Sequence, residues 1–140
     1  MPALPDDFTL PLLTAFNREW FTSGTLAIQS CAKCSTLQHP PEEVCRNCGE
    51  MTFGTHVLAP TGTISSHTVV HYAPSRALEG SVPYVVVLVS LDDEPRLRVV
   101  GNLLDAAPPD VQIGAPVTCE WTSYAGDDGA AIKLPQWRLA

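Results

Sequence analysis

Residues 31 to 48 read CAKCSTLQHPPEEVCRNC and hold four of the five cysteines in a chain of 140 residues. Cys31 and Cys34 form one CxxC turn, and Cys45 and Cys48 form a second. A CxxC turn aims two thiolates at one centre, and its backbone N–H groups favour the sulfur charge. Two such turns complete a tetrahedral S4 set, the arrangement preferred by structural zinc. Iron fits the same set as a rubredoxin-like electron-transfer centre, but zinc is the expected metal. A zinc held by four thiolates has no position open to water, so the centre is expected to be structural and not catalytic. Ser35 to Val44 separate the turns, and Pro40-Pro41 stiffens that connection. Gly49 follows the second turn, where a residue without Cβ is often needed, whereas Ser35 holds the matching place after the first. His39 lies between the turns. Four thiolates leave it no ligand role, and it is expected at the surface.

Other residues offer little chemistry. Alternation in PVTCEWTSY puts Val117, Cys119 and Trp121 on one strand face, so Cys119 reads as a small core hydrophobe. As a nucleophile it would need a base and a lowered pKa. His67 and His71 share one face of a strand candidate and read as solvated or hydrogen-bonded side chains. Asp92-Asp93-Glu94 and Asp127-Asp128 sit in turns and read as solvated charge. GxSxG, HExxH, P-loop and GxGxxG patterns are all missing. No catalytic residue is expected.

Several elements must position the cluster. Residues 6 to 23 predict a helix, capped by Asp6, Asp7 or Thr9, with Pro11 in its first turn and Gly24 as its stop. Leu12, Leu13, Phe16 and Trp20 give it an apolar stripe, expected to pack on the protein's own domain. Leu26 to Gln29 predicts a short strand leading into Cys31. Further strands are predicted near Thr63 to Tyr72, Tyr84 to Leu91, Leu97 to Leu104, Pro116 to Tyr124 and Ile132 to Leu139. The turn signals DDEP, APPD and AGDDG separate the later ones. Five short strands without a long intervening helix fit an OB-like, five-stranded Greek-key barrel. The expected fold is therefore mainly β: an N-terminal helical segment (1–24), a zinc ribbon (25–52) and an OB-fold barrel (53–140).

The charge balance limits the partners. Eight Lys+Arg against 15 Asp+Glu give a net charge of −7, which argues against nucleic acid and anionic membrane, both of which reward a cationic surface. The longest apolar run, Tyr84 to Val89, has the length of a strand and cannot span a bilayer. The opening MPALPDDFTL lacks the basic and apolar regions of a secretion signal, so the thiols are expected in a reducing cytoplasm, where clustered cysteines bind metal.

The order of several segments resembles a known family. EWFTSG, CAKC, HPPEEVCRNCG, TGTISSHTVVHYA, PYVVVLVSLDDEPRLRVVGNLL and IGAPVTCEW together look like the zinc-ribbon plus OB-fold family of acyl-CoA-associated proteins, domain of unknown function thirty-five. The resemblance covers nearly the whole chain. It implies a rubredoxin-like ribbon packed on an OB barrel, with Cys31, Cys34, Cys45 and Cys48 as metal ligands. It also implies an auxiliary subunit of a thiolase-like enzyme, either a sterol-carrier-type thiolase or a retro-aldolase that shortens steroid side chains, with the catalytic residues in the partner. A hetero-oligomer with two copies of this chain would follow, with a CoA thioester bound at the interface. The CoA phosphates would need cations. Lys33, Arg46 and Arg76 are the candidates, drawn from a small set that also includes Arg96, Arg98 and Lys133. The alternative function is a single-stranded nucleic-acid-binding OB and zinc-ribbon module. The negative charge and an aromatic share of 7% count against it.

Overall fold

Thr14 and Asn17 decide where the chain first becomes helical. Asn17 N–H donates to Thr14 Oγ1 at 3.3 Å, and Thr14 N–H donates to Asn17 Oδ1 at 2.6 Å. This reciprocal pair has the layout of a capping box. Arg18 N–H then donates to Thr14 O at 3.1 Å, and the helix α1 spans Arg18–Thr22. The Asn17 side-chain amide also donates to Leu12 O at 3.1 Å, which holds the preceding segment on a non-helical path. The helix expected over residues 6 to 23 is thus confined to five residues. The computed structural model describes Pro5 and residues 7–140, so residues 1–4 and the cap candidate Asp6 lie outside the described residues. Gly24 follows α1 at φ +67°, a left-handed conformation in which glycine avoids the Cβ penalty.

Two sheets follow. Strand β1 (Leu26–Cys31) lies between β2 (Leu37–Gln38) and β3 (Phe53–Leu58), and both pairings are antiparallel. The register from Leu26↔Leu58 to Cys31↔Phe53 brings Cys31 to the end of β1. Neither β2 nor β3 was expected, and β1 runs two residues beyond the predicted Leu26 to Gln29. Because β3 pairs along its length with β1, residues 53 to 58 hydrogen-bond within the ribbon sheet.

The barrel uses β4 (Thr61–Val70), β5 (Tyr84–Leu91), β6 (Arg98–Asn102), β7 (Pro116–Ala125) and β8 (Ala131–Leu139). Their order is β6-β5-β4-β7-β8. A parallel bridge between Leu103 and Trp137, with Leu104 N–H donating to Trp137 O at 2.7 Å, brings the two outer strands together. That contact curls the five strands into the partly open barrel of an OB-fold. Strand β4 carries a register shift between Ile64 and Ser66, a bulge that lets it bend between neighbours. On β5, Val85, Val87, Val89 and Leu91 point inward, each 1% exposed or less.

The two sheets share one core. Trp20, Leu26, Ile28 and Leu58 lie in the same cluster as Val87, Val99 and Trp137. Among the described residues, no helix is long and apolar enough to cross a membrane.

Gly62 supplies a physical reason for the TGTI opening of β4. A Cβ at this position would overlap Ser90 O and the Val89 side chain, both in the paired strand β5. Gly62→Ala is expected to destabilise the zinc-loaded protein by about 1–3 kcal/mol through overpacking, read from the midpoint of urea unfolding.

Candidate metal centre

The two CxxC turns fold as near copies. Ser35 N–H donates to Cys31 O and Gly49 N–H to Cys45 O, both at 3.0 Å. Cys31 N–H donates to Thr36 O at 3.0 Å, and Cys45 N–H to Glu50 O at 2.8 Å. Each turn leaves through a left-handed residue, Gly49 at φ +80° and Ser35 at φ +60°. Serine therefore adopts the backbone that glycine adopts in the second turn, at a conformational cost of about 1–2 kcal/mol. The N–H groups of Lys33 and Cys34 lie 3.4 and 3.5 Å from Cys31 Sγ, as expected for a turn that favours thiolate.

The four thiols converge. Their sulfurs all lie within 4.8 Å of one another, with Cys31–Cys48 at 3.5 Å and Cys34–Cys45 at 3.6 Å. A tetrahedral zinc with Zn–S bonds of about 2.3 Å has sulfur–sulfur edges of about 3.8 Å, so the set fits that ion. All five cysteines are free thiols. The site's own electrostatics make the same demand. Hydrogen bonding from Thr36, then from Asn47, holds the Cys34 thiol down to about 5. At Cys48, an exposed residue, a backbone bond from Glu50 lowers the pKa, but desolvation of the sulfur and the three neighbouring cysteines outweigh it and push the thiol up to about 12. Four thiolates this close repel one another, and a divalent cation removes that penalty.

Two buried glutamines hold the loop between the turns. Gln38 Nε2 donates to Gln29 Oε1 at 2.7 Å and to Val44 O at 3.2 Å. Gln29 Nε2 donates to Glu42 O at 2.7 Å, while Glu42 N–H donates back to Gln29 Oε1 at 3.0 Å. Arg46 N–H, inside the second turn, donates to Gln38 Oε1 at 3.0 Å. Sequence reasoning missed both residues. For Gln29 the available signal was a glutamine directly after the apolar stretch LAI in the strand leading to Cys31.

His39 is not the surface histidine that was expected. Its ring lies 4.3 Å from that of Trp20, tilted by 52°. Burial, and secondarily the Arg46 charge, lower its pKa to about 4, so the ring is neutral. Trp20, 5% exposed, packs its other side edge-on against Trp121 at 5.2 Å. The expected packing of the helix stripe on its own domain thus holds at Trp20, while Leu12 stays 84% exposed.

The candidate cations occupy different elements. Lys33 is exposed in the first turn. Arg46 forks onto Glu42, with Nη2–Oε1 at 2.9 Å and Nε–Oε2 at 3.3 Å. Arg76 is exposed on the barrel, in a short 3-10 turn (Arg76–Leu78) between β4 and β5. Cys119 lies in the core, where burial pushes its thiol up to about 12, as its strand face implied. His67 and His71 are exposed.

Comparison with known proteins finds two family models along the chain. Residues 22–52 match the rubredoxin-like zinc ribbon domain of ChsH2, and residues 55–122 match the C-terminal OB-fold domain of ChsH2. A DUF35 domain-containing scaffold protein of Methanocaldococcus jannaschii is 33% identical over 102 residues, which are 71% of this chain and 70% of that protein. A probable enoyl-CoA hydratase alpha subunit of Thermomonospora curvata is 41% identical over 93% of this chain but only 39% of its own length. The 3-oxo-4,17-pregnadiene-20-carboxyl-CoA hydratase alpha subunit of Mycobacterium tuberculosis is 34% identical over 90% of this chain and 36% of its own length. The chain therefore spans well under half of these two hydratase subunits. Among solved structures, a chain of the Ltp2–ChsH2(DUF35) aldolase matches with a TM-score of 0.76 and 38% identity, covering 93% of this chain and 98% of that one.

Gln38→Leu removes the acceptor for Arg46 N–H and the donor to Val44 O. Zinc affinity is expected to fall roughly 10–100-fold, as for other residues that orient metal ligands, measured by competition with a chromophoric chelator.

Proposed function

The chain belongs to the DUF35 family of zinc-ribbon and OB-fold proteins, and from that premise we propose that it is a non-catalytic auxiliary subunit of a thiolase-fold enzyme acting on acyl-CoA thioesters. The observation that carries this reading is the likeness along 98% of the DUF35 chain of an aldolase. The hydratase relatives add the substrate class, since the names of both carry a CoA thioester. Hydration of an enoyl-CoA gives a β-hydroxyacyl-CoA, the kind of compound that a retro-aldolase cleaves. A thiolase-like aldolase of steroid side chains is the partner we favour, in a cytoplasmic assembly with two copies of each chain.

Within that assembly the metal centre is structural. Cys31, Cys34, Cys45 and Cys48 would hold zinc as four thiolates, which leaves no coordination position for substrate. The ion supplies charge neutralisation and a fixed geometry for the two turns. This chain's residues then act by position. The ribbon and barrel present a rigid surface to the partner, and rigid placement of substrate can govern a rate without adding a reacting group. Lys33, Arg46 and Arg76 are our candidates for CoA phosphate contacts where the two chains meet. Arg46 would reach a phosphate by exchanging its exposed Glu42 partner, a pair worth little at a surface. Nucleic-acid binding is disfavoured by the net charge of −7.

The test is co-expression with a thiolase-like protein encoded beside this one, followed by affinity capture and size exclusion. The expected result is a stable complex that the chain with Cys45→Ser fails to form, with loss of zinc in the same sample. A partner that is fully active alone and never co-purifies would overturn the proposal, as would a zinc-free variant that still binds normally.

A further inference from the structure

Strand β3 pairs with β1 on one side only, in an unbroken register, and forms the border of the ribbon sheet. Ala32 N–H donates to Thr52 O at 3.0 Å, one step beyond the register pair Cys31↔Phe53. Bonded and unbonded pairs alternate in an antiparallel ladder, so Gly54, His56 and Leu58 bond to β1. Phe53, Thr55 and Val57 then aim their N–H and C=O groups away from the sheet. The other side of β1 agrees, because Cys31 N–H turns to Thr36 O beside β2. Among the described residues, no hydrogen bond from another element reaches the outward groups of β3. Edge strands are normally shielded by shortness, charged side chains, Pro or a bulge. FGTHVL spans six residues and has none of these, and Gly54 to Val57 are exposed.

Beside this edge lies an open groove of about 720 Å3. Phe16 and Trp20 line it from the helical segment, Pro41 from the loop between the CxxC turns, and Phe53 and Thr55 from β3. Side chains alternate along a strand, so Phe53 and Thr55 share this face with the exposed Val57. Met51, 68% exposed, adds a flexible apolar side chain to the lining. The charged groups in the lining are Glu19 and Glu43, with no Lys, Arg or His among the lining residues. Both carboxylate side chains belong to exposed residues, and neither forms an ion pair among the described residues.

We propose that this edge and groove receive an extended, basic segment of the partner subunit. The segment pairs its backbone with Phe53, Thr55 and Val57, as a fourth strand of the ribbon sheet. Its alternate side chains project over the groove face, an apolar one beside Phe16 and Met51 and a Lys or Arg towards Glu19 and Glu43. Strand addition of this kind takes affinity from main-chain hydrogen bonds and selectivity from the pockets that alternate side chains enter. A small molecule in the groove would leave the row of N–H and C=O groups unpaired, and an acidic segment would meet like charge. The source of the segment rests on the auxiliary-subunit reading, whereas its extended form and its charge follow from β3 and the groove.

The experiment compares amide hydrogen exchange in the full, zinc-loaded chain, free and in complex with the thiolase-like protein encoded beside it. The outward N–H groups of Phe53, Thr55 and Val57 are expected to exchange fast in the free chain and roughly tenfold or more slowly in the complex. Thr55→Pro removes an outward N–H at a place where an edge strand tolerates proline. That variant is expected to keep its zinc and to bind the partner roughly tenfold or more weakly. Glu19→Lys with Glu43→Lys is expected to weaken binding by a similar factor. Glu79→Lys with Asp110→Lys makes the same charge change at exposed positions of the barrel and is expected to have a smaller effect. Unchanged exchange at β3 in an intact complex overturns the proposal and leaves the auxiliary-subunit reading standing. So does full affinity in the zinc-loaded Thr55→Pro chain, or an equal loss from the two charge reversals. If the unsubstituted chains form no complex, the proposal falls together with that reading. The exchange comparison in the unsubstituted chain decides the matter even if a variant fails to fold.

Discussion

The packing of Trp20 between His39 and Trp121 is the contact on which the arrangement of this chain depends. The three rings come from the helix, the inter-knuckle loop and the barrel, with centroids 4.3 Å apart on one side and 5.2 Å on the other. None of these parts is well placed to stand alone. A helix of five residues is far below the length at which helices persist in water. The ribbon sheet has an outer strand of only two residues. Trp20 solves both problems at once, because its burial requires the other two rings to be in place. Truncating a side chain in such a position typically costs about 3–5 kcal/mol.

The metal centre and that junction are mechanically linked through β1. Leu26 and Ile28 enter the shared core, and Cys31 at the end of the same strand enters the thiol cluster. Gln29 of β1 reaches the backbone of Glu42, and Gln38 of β2 reaches Val44 and Arg46. These bonds fix the loop that carries His39 to Trp20. A metal that closes the two turns therefore also restrains the loop covering Trp20. Without it, nothing ties the two turns together, and the segment whose position keeps Trp20 buried loses that restraint. An ion at this centre would in this way restrain the junction without touching the shared core.

Features decided by neighbours in sequence were legible before the structure, and those decided by distant contacts were not. The CxxC spacing identified the thiol cluster because each turn closes locally. The run YVVVLVSL marked β5 residue for residue, since a strand inside a barrel needs an apolar inner face. The helix was overextended because Leu12, Leu13, Phe16 and Trp20 have helical spacing, while the Thr14–Asn17 exchange that actually starts the helix is a contest between side chain and backbone. Strand β3 was missed because most of FGTHVL is exposed and carries little alternation. His39 and Gln29 were misjudged or passed over for a shared reason. Each is polar and covered only because a partner from elsewhere in the chain meets it, Trp20 in one case and the Glu42 backbone with the Gln38 side chain in the other.

The distribution of charge bears on how such a subunit could serve a CoA thioester. Among the described residues, Arg18 pairs with Asp128, Arg46 with Glu42, Arg96 with Glu94, and Arg138 with both Glu120 and Asp105. Half of the eight Lys and Arg side chains thus already face carboxylates, in a chain with a net charge of −7. Lys33 and Arg76 stand exposed outside these pairs, one on the ribbon and the other on the barrel. A surface of this kind has little capacity to attract a polyanion by its overall field. If CoA phosphates meet this chain, they do so one cation at a time, at sites where a partner has already brought the nucleotide close. In the proposed assembly an acidic surface would favour a partner of opposite charge, so that recognition of the partner would precede any contact with substrate.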